Sequence, residues 1–164
     1  MTDMFDPETR SRIMRSVRTQ ETAAEERLAT ALRRLALRFR RNDSRVFGKP
    51  DFVFPARRLA VFVDGDFWHG RSWIENGAAP ATNARFWIQK FDRNIARDRL
   101  VERRLRRNGW SVLRLWGSDV NRAPKDAADA VLKRLKRRRS ELVRRSEKLR
   151  SNPRADRGRG RQPQ

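Results

Sequence analysis

The chain of 164 residues has no cysteine, no tyrosine and one histidine. Without cysteine there is no disulfide, no thiol nucleophile and no thiolate metal site. A zinc ion would have to rely on His69 and carboxylates, a donor set that structural zinc rarely uses. Long apolar runs are missing as well. None approaches the ~18 residues that a membrane span needs, and the acidic opening Met1-Thr2-Asp3-Met4 does not read as a signal peptide. The expectation is a soluble, cytoplasmic protein with no membrane partner. Negative charge is scarce: 20 Asp and Glu stand against 41 Lys and Arg, a net charge of +21.

That excess is unevenly placed. Residues 133 to 164 alone hold 14 Lys/Arg and 3 Asp/Glu. Elsewhere the cations alternate with five tryptophans and nine phenylalanines. No helix pairs a basic face with a broad aromatic one, so a membrane surface is the weaker partner. Phosphates bound with release of counterions suit the charge better, and the expected polyanion is a nucleic acid.

Hydrophobic residues make up 37% of the chain, enough for one modest core. One domain is expected over residues 1–140, with a basic, disordered tail over 141–164. Asp6-Pro7 reads as an N-cap and first helical position, opening a short basic helix over 9–17. Thr22-Ala23-Ala24-Glu25 is a capping-box pattern that starts a helix to about Leu37, striped by Leu28, Leu32 and Leu35. Strands are expected over 37–41, 52–54, 59–63 and 110–116, the second and third joined by the turn-like Pro55-Ala56-Arg57-Arg58. A loop over 76–83 precedes a long helix over 84–107, stopped by Asn108-Gly109. A last helix opens near Pro124 and fades beyond Leu142. The order gives an α/β fold, a central mixed β-sheet flanked by helices.

Two apolar strands deliver carboxylates to one place. Asp51 follows Pro50 at the start of one, and Val63-Asp64 ends its hairpin neighbour. Magnesium takes one or two carboxylates and keeps several waters, so Asp51, with Asp64 as a further candidate, suffices for an Mg2+ site. Three residues beyond Asp66 lies His69, whose ordinary pKa of about 6.5 suits proton transfer near neutrality. Asp98 falls within the apolar stripe of the long helix (Phe91, Ile95, Val101, Leu105), where a carboxylate needs a partner. His69 is one candidate and an arginine the other. Lys90, Asn94 and Asp98 step by four along one face that could meet a phosphate. The pairs Phe67-Trp68 and Phe86-Trp87 suit either a core or a wedge between base pairs.

Pro50-Asp51 resembles the first half of a PD-(D/E)xK nuclease core, although Asp66 stands where that pattern has lysine. The assembled chain resembles the very short patch repair (Vsr) DNA mismatch endonucleases over residues 6 to 135. The resemblance rests on Thr9-Arg10-Ser11-Arg12-Ile13-Met14, Thr22-Ala23-Ala24-Glu25, Gly48-Lys49-Pro50-Asp51-Phe52, Phe67-Trp68-His69, Phe86-Trp87-Ile88-Gln89-Lys90, Asn94 with Asp98, and Gly109-Trp110. It implies a restriction-endonuclease-like fold and a nick 5′ of the thymine in a T·G mismatch. It also implies Asp51 and the backbone carbonyl of Val63 on magnesium, His69 as base, Asp98 as its partner, and Glu25 on metal-bound water. Phe67, Trp68 and Trp87 become a major-groove wedge, Met14 enters from the minor groove, and Lys90 and Asn94 face DNA. Where the family carries a Cys/His zinc site, this chain has Asp66, Arg71, Trp73 and Ser118, so no zinc is expected and Trp73 is the candidate to replace it by packing.

The resulting expectation is a monomeric, magnesium-dependent nicking endonuclease of mismatch repair at the nucleoid, with double-stranded DNA as partner and room for other repair proteins. Its rivals are a restriction-type nuclease acting on paired DNA and a non-catalytic basic DNA-binding protein.

Overall fold

The computed structural model describes residues 22–80 and 83–151. The basic helix expected over 9–17, and Met14 with it, lies outside the described residues. Helix α1 covers residues 22–34 and buries Ala24, Leu28, Ala29 and Leu32 completely. Its end explains why the expected strand over 37–41 shrinks to β1, Arg40–Arg41. Ala36 takes a left-handed φ of 54°, and the Leu37 and Ala36 amides bond back to the carbonyls of Leu32 and Arg33. This is a Schellman-type stop, so Leu37 belongs to the helix terminus and only looks like part of an alternating strand.

Strands β2 (Phe52–Phe54) and β3 (Leu59–Asp64) form the hairpin foreseen, closed by a 3-10 turn over Pro55–Arg57. Strand β4 (Ser111–Trp116) lies parallel to β3, and the sheet order is β1-β2-β3-β4 with antiparallel pairs elsewhere. A parallel neighbour requires a crossover. It is supplied by α2 (Arg71–Asn76) and the 24-residue α3 (Ala84–Arg107). Then come α4 (Gly117–Arg122) and α5 (Pro124–Ser151).

Alternation along the strands divides the core. Phe52, Phe54, Leu59 and Val61 pack with α1, α4 and α5 on one face. Val53, Ala60, Phe62 and Val112 meet Leu105 of α3 on the other. The fold is the expected α/β layering, a mixed sheet with helices on both faces. Helix α5 runs to Ser151, past the position where the basic tail was expected to begin. Lys, Arg, Leu and Glu are good helix formers, and i,i+4 pairs such as Arg137–Glu141 at 3.0 Å support the charged turns. No helix among the described residues is long and apolar enough to cross a membrane.

Candidate active site

The loop Gly48-Lys49-Pro50 brings Asp51 to the sheet. Gly48 has φ +83°, and a Cβ there would collide with Val101 of α3, so both backbone and space require glycine. Asp51 then accepts a hydrogen bond from the Val63 amide at 2.7 Å. Among the described residues it makes no ion pair. Burial pushes its pKa up to about 6, the charges of Glu25 and Asp64 push the same way, and the Val63 bond only partly opposes them. Glu25 reaches this neighbourhood from α1 while accepting a bond from Arg41 at 3.0 Å. A half-buried carboxylate with two acidic neighbours, and with no cation paired to it among the described residues, is short of positive charge, which is what a divalent ion brings. Asp51 and the adjacent main chain of Val63 therefore fit a hard cation that keeps most of its waters.

His69 stands at the same end of β3. Its Nδ1 lies 2.6 Å from Asp98 Oδ2 and 3.8 Å from Asp64 Oδ1. Burial favours the neutral imidazole, but the Asp98 bond and the charges of Asp64 and Asp98 outweigh it and raise the pKa, with Arg114 opposing. Asp98 is held below the ordinary carboxylate range against its own burial, by the His69 bond and the Arg114 charge. An ionised carboxylate only accepts, so Nδ1 must donate and the neutral ring leaves its lone pair on Nε2. The two partners foreseen for Asp98 are both present, since Arg114 Nη2 lies 3.3 Å from it.

Two expected roles change. Asp64, the further metal candidate beside Asp51, is gripped by Arg114, which donates to both of its oxygens at 2.6 Å each. Asn94, expected to face a phosphate, donates its amide to the Trp68 carbonyl at 2.7 Å and so fixes the loop before His69.

The aromatic pairs gather beside the site. Phe67 lies 5.2 Å from Trp68 and 4.8 Å from Trp87, edge to face, and Trp87 stacks on the buried Phe91 at 5.9 Å. The cluster is rooted in the core and half-exposed at its tip, where Phe86 is 53% accessible. Lys90 carries its ammonium over Trp68 at 4.7 Å and Trp87 at 5.2 Å.

At the positions where the resemblance places zinc, side chains bond to one another. Asp66 accepts from the Ser118 amide at 2.9 Å and from the Ser118 hydroxyl at 2.6 Å. Arg71 joins Asp66 at 3.0 Å, Ser118 Oγ at 2.8 Å, Glu75 at 2.8 Å and Asp119 at 3.1 Å, and lies over the Trp116 ring. Trp73, the residue expected to fill in by packing, instead donates from its indole to Asp92 of α3 at 3.2 Å. The brace ties the start of the 65–70 loop to the end of β4. We expect Arg71→Met to cost about 1–3 kcal/mol, because it removes the cation paired with the half-buried Asp66 and leaves that carboxylate with the two Ser118 bonds alone; thermal unfolding checks this, and an unchanged midpoint would show the brace to be idle.

Sequence reading missed Arg114, Arg71, and the short helices α2 and α4. Arg114 did leave a trace: it is the one charge inside the apolar run of β4, on the same strand face as the buried Val112. Six-residue helices carry too few turns for an apolar period to show.

A family model described as DNA mismatch endonuclease Vsr matches residues 2–75. Type II nicking enzyme V.NmeDIP of Neisseria meningitidis serogroup C is 48% identical over 118 residues, 72% of this chain and 80% of that protein. Type II nicking enzyme V.HpaIIP of Haemophilus parainfluenzae is 41% identical over 74% of this chain and 87% of its own length. DNA mismatch endonuclease Vsr of Escherichia coli (strain K12) is 38% identical over 135 residues, 82% of this chain and 86% of that protein. With such identity over more than two thirds of this chain and of each of these relatives, the chain belongs to the DNA mismatch endonuclease Vsr family.

Proposed function

We propose that the protein is a magnesium-dependent endonuclease that nicks one strand of duplex DNA 5′ of the thymine in a T·G mismatch. The observation that carries this reading is the pairing, at one end of β3, of an uncompensated carboxylate, Asp51, with the His69–Asp98 couple. Held by Asp51 and the Val63 carbonyl, magnesium would neutralise charge developing on the phosphate and its leaving oxygen. His69 accepts through Nε2 a proton from the water that attacks phosphorus, as the bond to the leaving sugar oxygen breaks. Asp98 fixes the ring and stabilises the imidazolium that forms. The Asp98 bond and the charges of Asp64 and Asp98 raise the His69 pKa above the ordinary histidine value, which strengthens it as a proton acceptor. Glu25, whose charge already acts on Asp51, would accept hydrogen bonds from water held by such an ion.

Phe67, Trp68 and Trp87 form the wedge. Opening a base step costs a few kcal/mol, and less where the pair is mismatched, so a rigid aromatic tip in itself favours a T·G step over T·A. Lys90 travels with the wedge and meets the phosphates it exposes. The decisive experiment is a strand-resolved nicking assay on otherwise identical T·G and T·A duplexes, with magnesium and with EDTA. Nicking of T·G alone, abolished by EDTA, is expected. Equal cutting of both duplexes would point to a restriction-type nuclease, and no cutting in magnesium to a DNA-binding protein without catalysis.

A further inference from the structure

We propose that Arg114 is a positioning residue for nicking, the link that fixes Asp98, and through it His69, to the sheet, and that Asp64 serves as its anchor. The catalytic part of this inference rests on the nuclease reading above; the geometric part does not.

The register of the parallel pair sets Arg114 beside Phe62 and Asp64 beside Trp116, two residues further along. The Arg114 side chain runs up the strand face to reach Asp64, with Nε on Oδ2 and Nη2 on Oδ1, each at 2.6 Å. The same Nη2 lies 3.3 Å from Asp98 Oδ2, the oxygen that His69 Nδ1 meets at 2.6 Å. One carboxylate oxygen of α3 is thus shared by a cation from β4 and the imidazole of the loop. The guanidinium is also seated 4.8 Å from the Phe62 ring centre, which limits its tilt.

Packing alone does not account for an arginine here. The position belongs to the face where Val112 and Phe62 meet α3, and an aliphatic side chain would cover Phe62 as well. Buried ion pairs contribute little to stability compared with apolar replacements. This one also leaves Arg114 Nη1 buried without a hydrogen-bond partner among the described residues. What the arginine supplies is geometry: a rigid planar fork that grips Asp64 with one edge and Asp98 with a corner, which an ammonium cannot reproduce. It also supplies charge. Without it, Asp64 and Asp98 would face His69 with no buried cation between them.

The test compares the full-length parent with Arg114→Met, Arg114→Lys, Asp64→Asn and the double variant Asp64→Asn/Arg114→Met. Each single variant is expected to lower kcat by about tenfold or more while the KM for duplex stays within about threefold, because the group acts on the catalytic couple and not on DNA. Arg114→Lys should keep the fold and recover part of the loss. The double variant should be no slower than the slower single, since both residues belong to one chain of contacts. In Asp64→Asn the magnesium concentration for half-maximal rate should rise by no more than about threefold, since the ion's surroundings lose a neighbouring charge and not a ligand. A multiplicative double variant, or a magnesium requirement raised by about tenfold or more in Asp64→Asn, as loss of a direct ligand would give, would overturn the assignment. His69 is the only histidine, so its imidazole N–H proton resonance can be followed without DNA or activity. In Arg114→Met and Arg114→Lys it is expected to shift and to exchange faster; a resonance unmoved in both would overturn the proposal. A parent that does not nick would refute the nuclease reading and leave the resonance to decide on Arg114.

Discussion

Asp51→Asn is expected to abolish nicking and, at pH 7, to raise the melting temperature by several degrees. Both effects come from one cause. Burial, together with the charges of Glu25 and Asp64, lifts the Asp51 pKa from 3.8 to about 6. The folded chain therefore holds this proton more tightly than the unfolded chain between those two values. At about pH 3 and below, under both pKa values, the group is neutral in both states and the charge costs nothing. As pH rises through the window from 4 to 6, folding must increasingly tolerate a buried anion, and above about 6 the penalty is complete. Two pKa units correspond to roughly 3 kcal/mol, an upper figure for a site that water can partly reach. Asparagine removes the charge and keeps an oxygen for the Val63 amide. Most substitutions at partly buried sites destabilise, so a gain would be diagnostic. Calorimetry at pH 7 and at about pH 3 is the check: the gain should be present at the first and gone at the second. Magnesium should raise the melting temperature of the parent, as any ligand of the native state does, and leave Asp51→Asn unmoved. A variant that nicks, or one that melts earlier than the parent at pH 7, would take Asp51 out of the proposed metal site.

The placing of carboxylates at the strand ends was legible in the sequence because its signal is local. Pro50-Asp51 before three apolar residues marks a carboxylate at a strand start, and Val63-Asp64 marks the end of the hairpin partner. Alternation then fixes β2, β3 and β4, and the apolar stripe of α3 fixes its length and even the inward set of Asp98. The His69–Asp98 contact could be anticipated for a physical reason: a carboxylate on a core-facing stripe must be satisfied, and few partners exist.

What was not legible depends on direction across the sheet. Val63 and Asp64 are neighbours in sequence, but a strand sends successive side chains to opposite faces. The Val63 backbone meets Asp51 while Asp64 turns to the α3 face, where Arg114 waits on a strand some fifty residues away. No spacing rule pairs those two. The same holds for Asn94, whose helical step from Lys90 suggested a shared outward face, whereas its amide is drawn to the Trp68 carbonyl. Polar residues that build the site by bonding to backbone look, in sequence, like residues that bind the substrate. The Asp66–Arg71–Ser118 brace is a similar case, joining positions 66 and 118 through hydrogen bonds that composition cannot reveal.

His69→Gln and Asp98→Asn separate the base from the group that tunes it. With His69→Gln the rate at neutral pH should fall by about 10²–10⁴, the usual worth of a positioned general base, with no histidine limb left in the pH profile. The parent should gain activity as pH rises through a midpoint above 6.5, because the Asp98 bond and the nearby charges of Asp64 and Asp98 outweigh burial and Arg114 in holding the proton on His69. At saturating magnesium the titration of Asp51 is displaced to lower pH, so this limb reports the imidazole. Asp98→Asn removes the charge-assisted bond and part of the negative field. Burial and Arg114 then prevail, and the limb must move to lower pH while the plateau falls, since a neutral amide neither holds the ring in one tautomer nor stabilises its charged form. Loss of rate and gain of acid tolerance in the same variant is a combination that simple misfolding does not produce. A limb that stays in place in Asp98→Asn would mean that some group other than His69 accepts the proton.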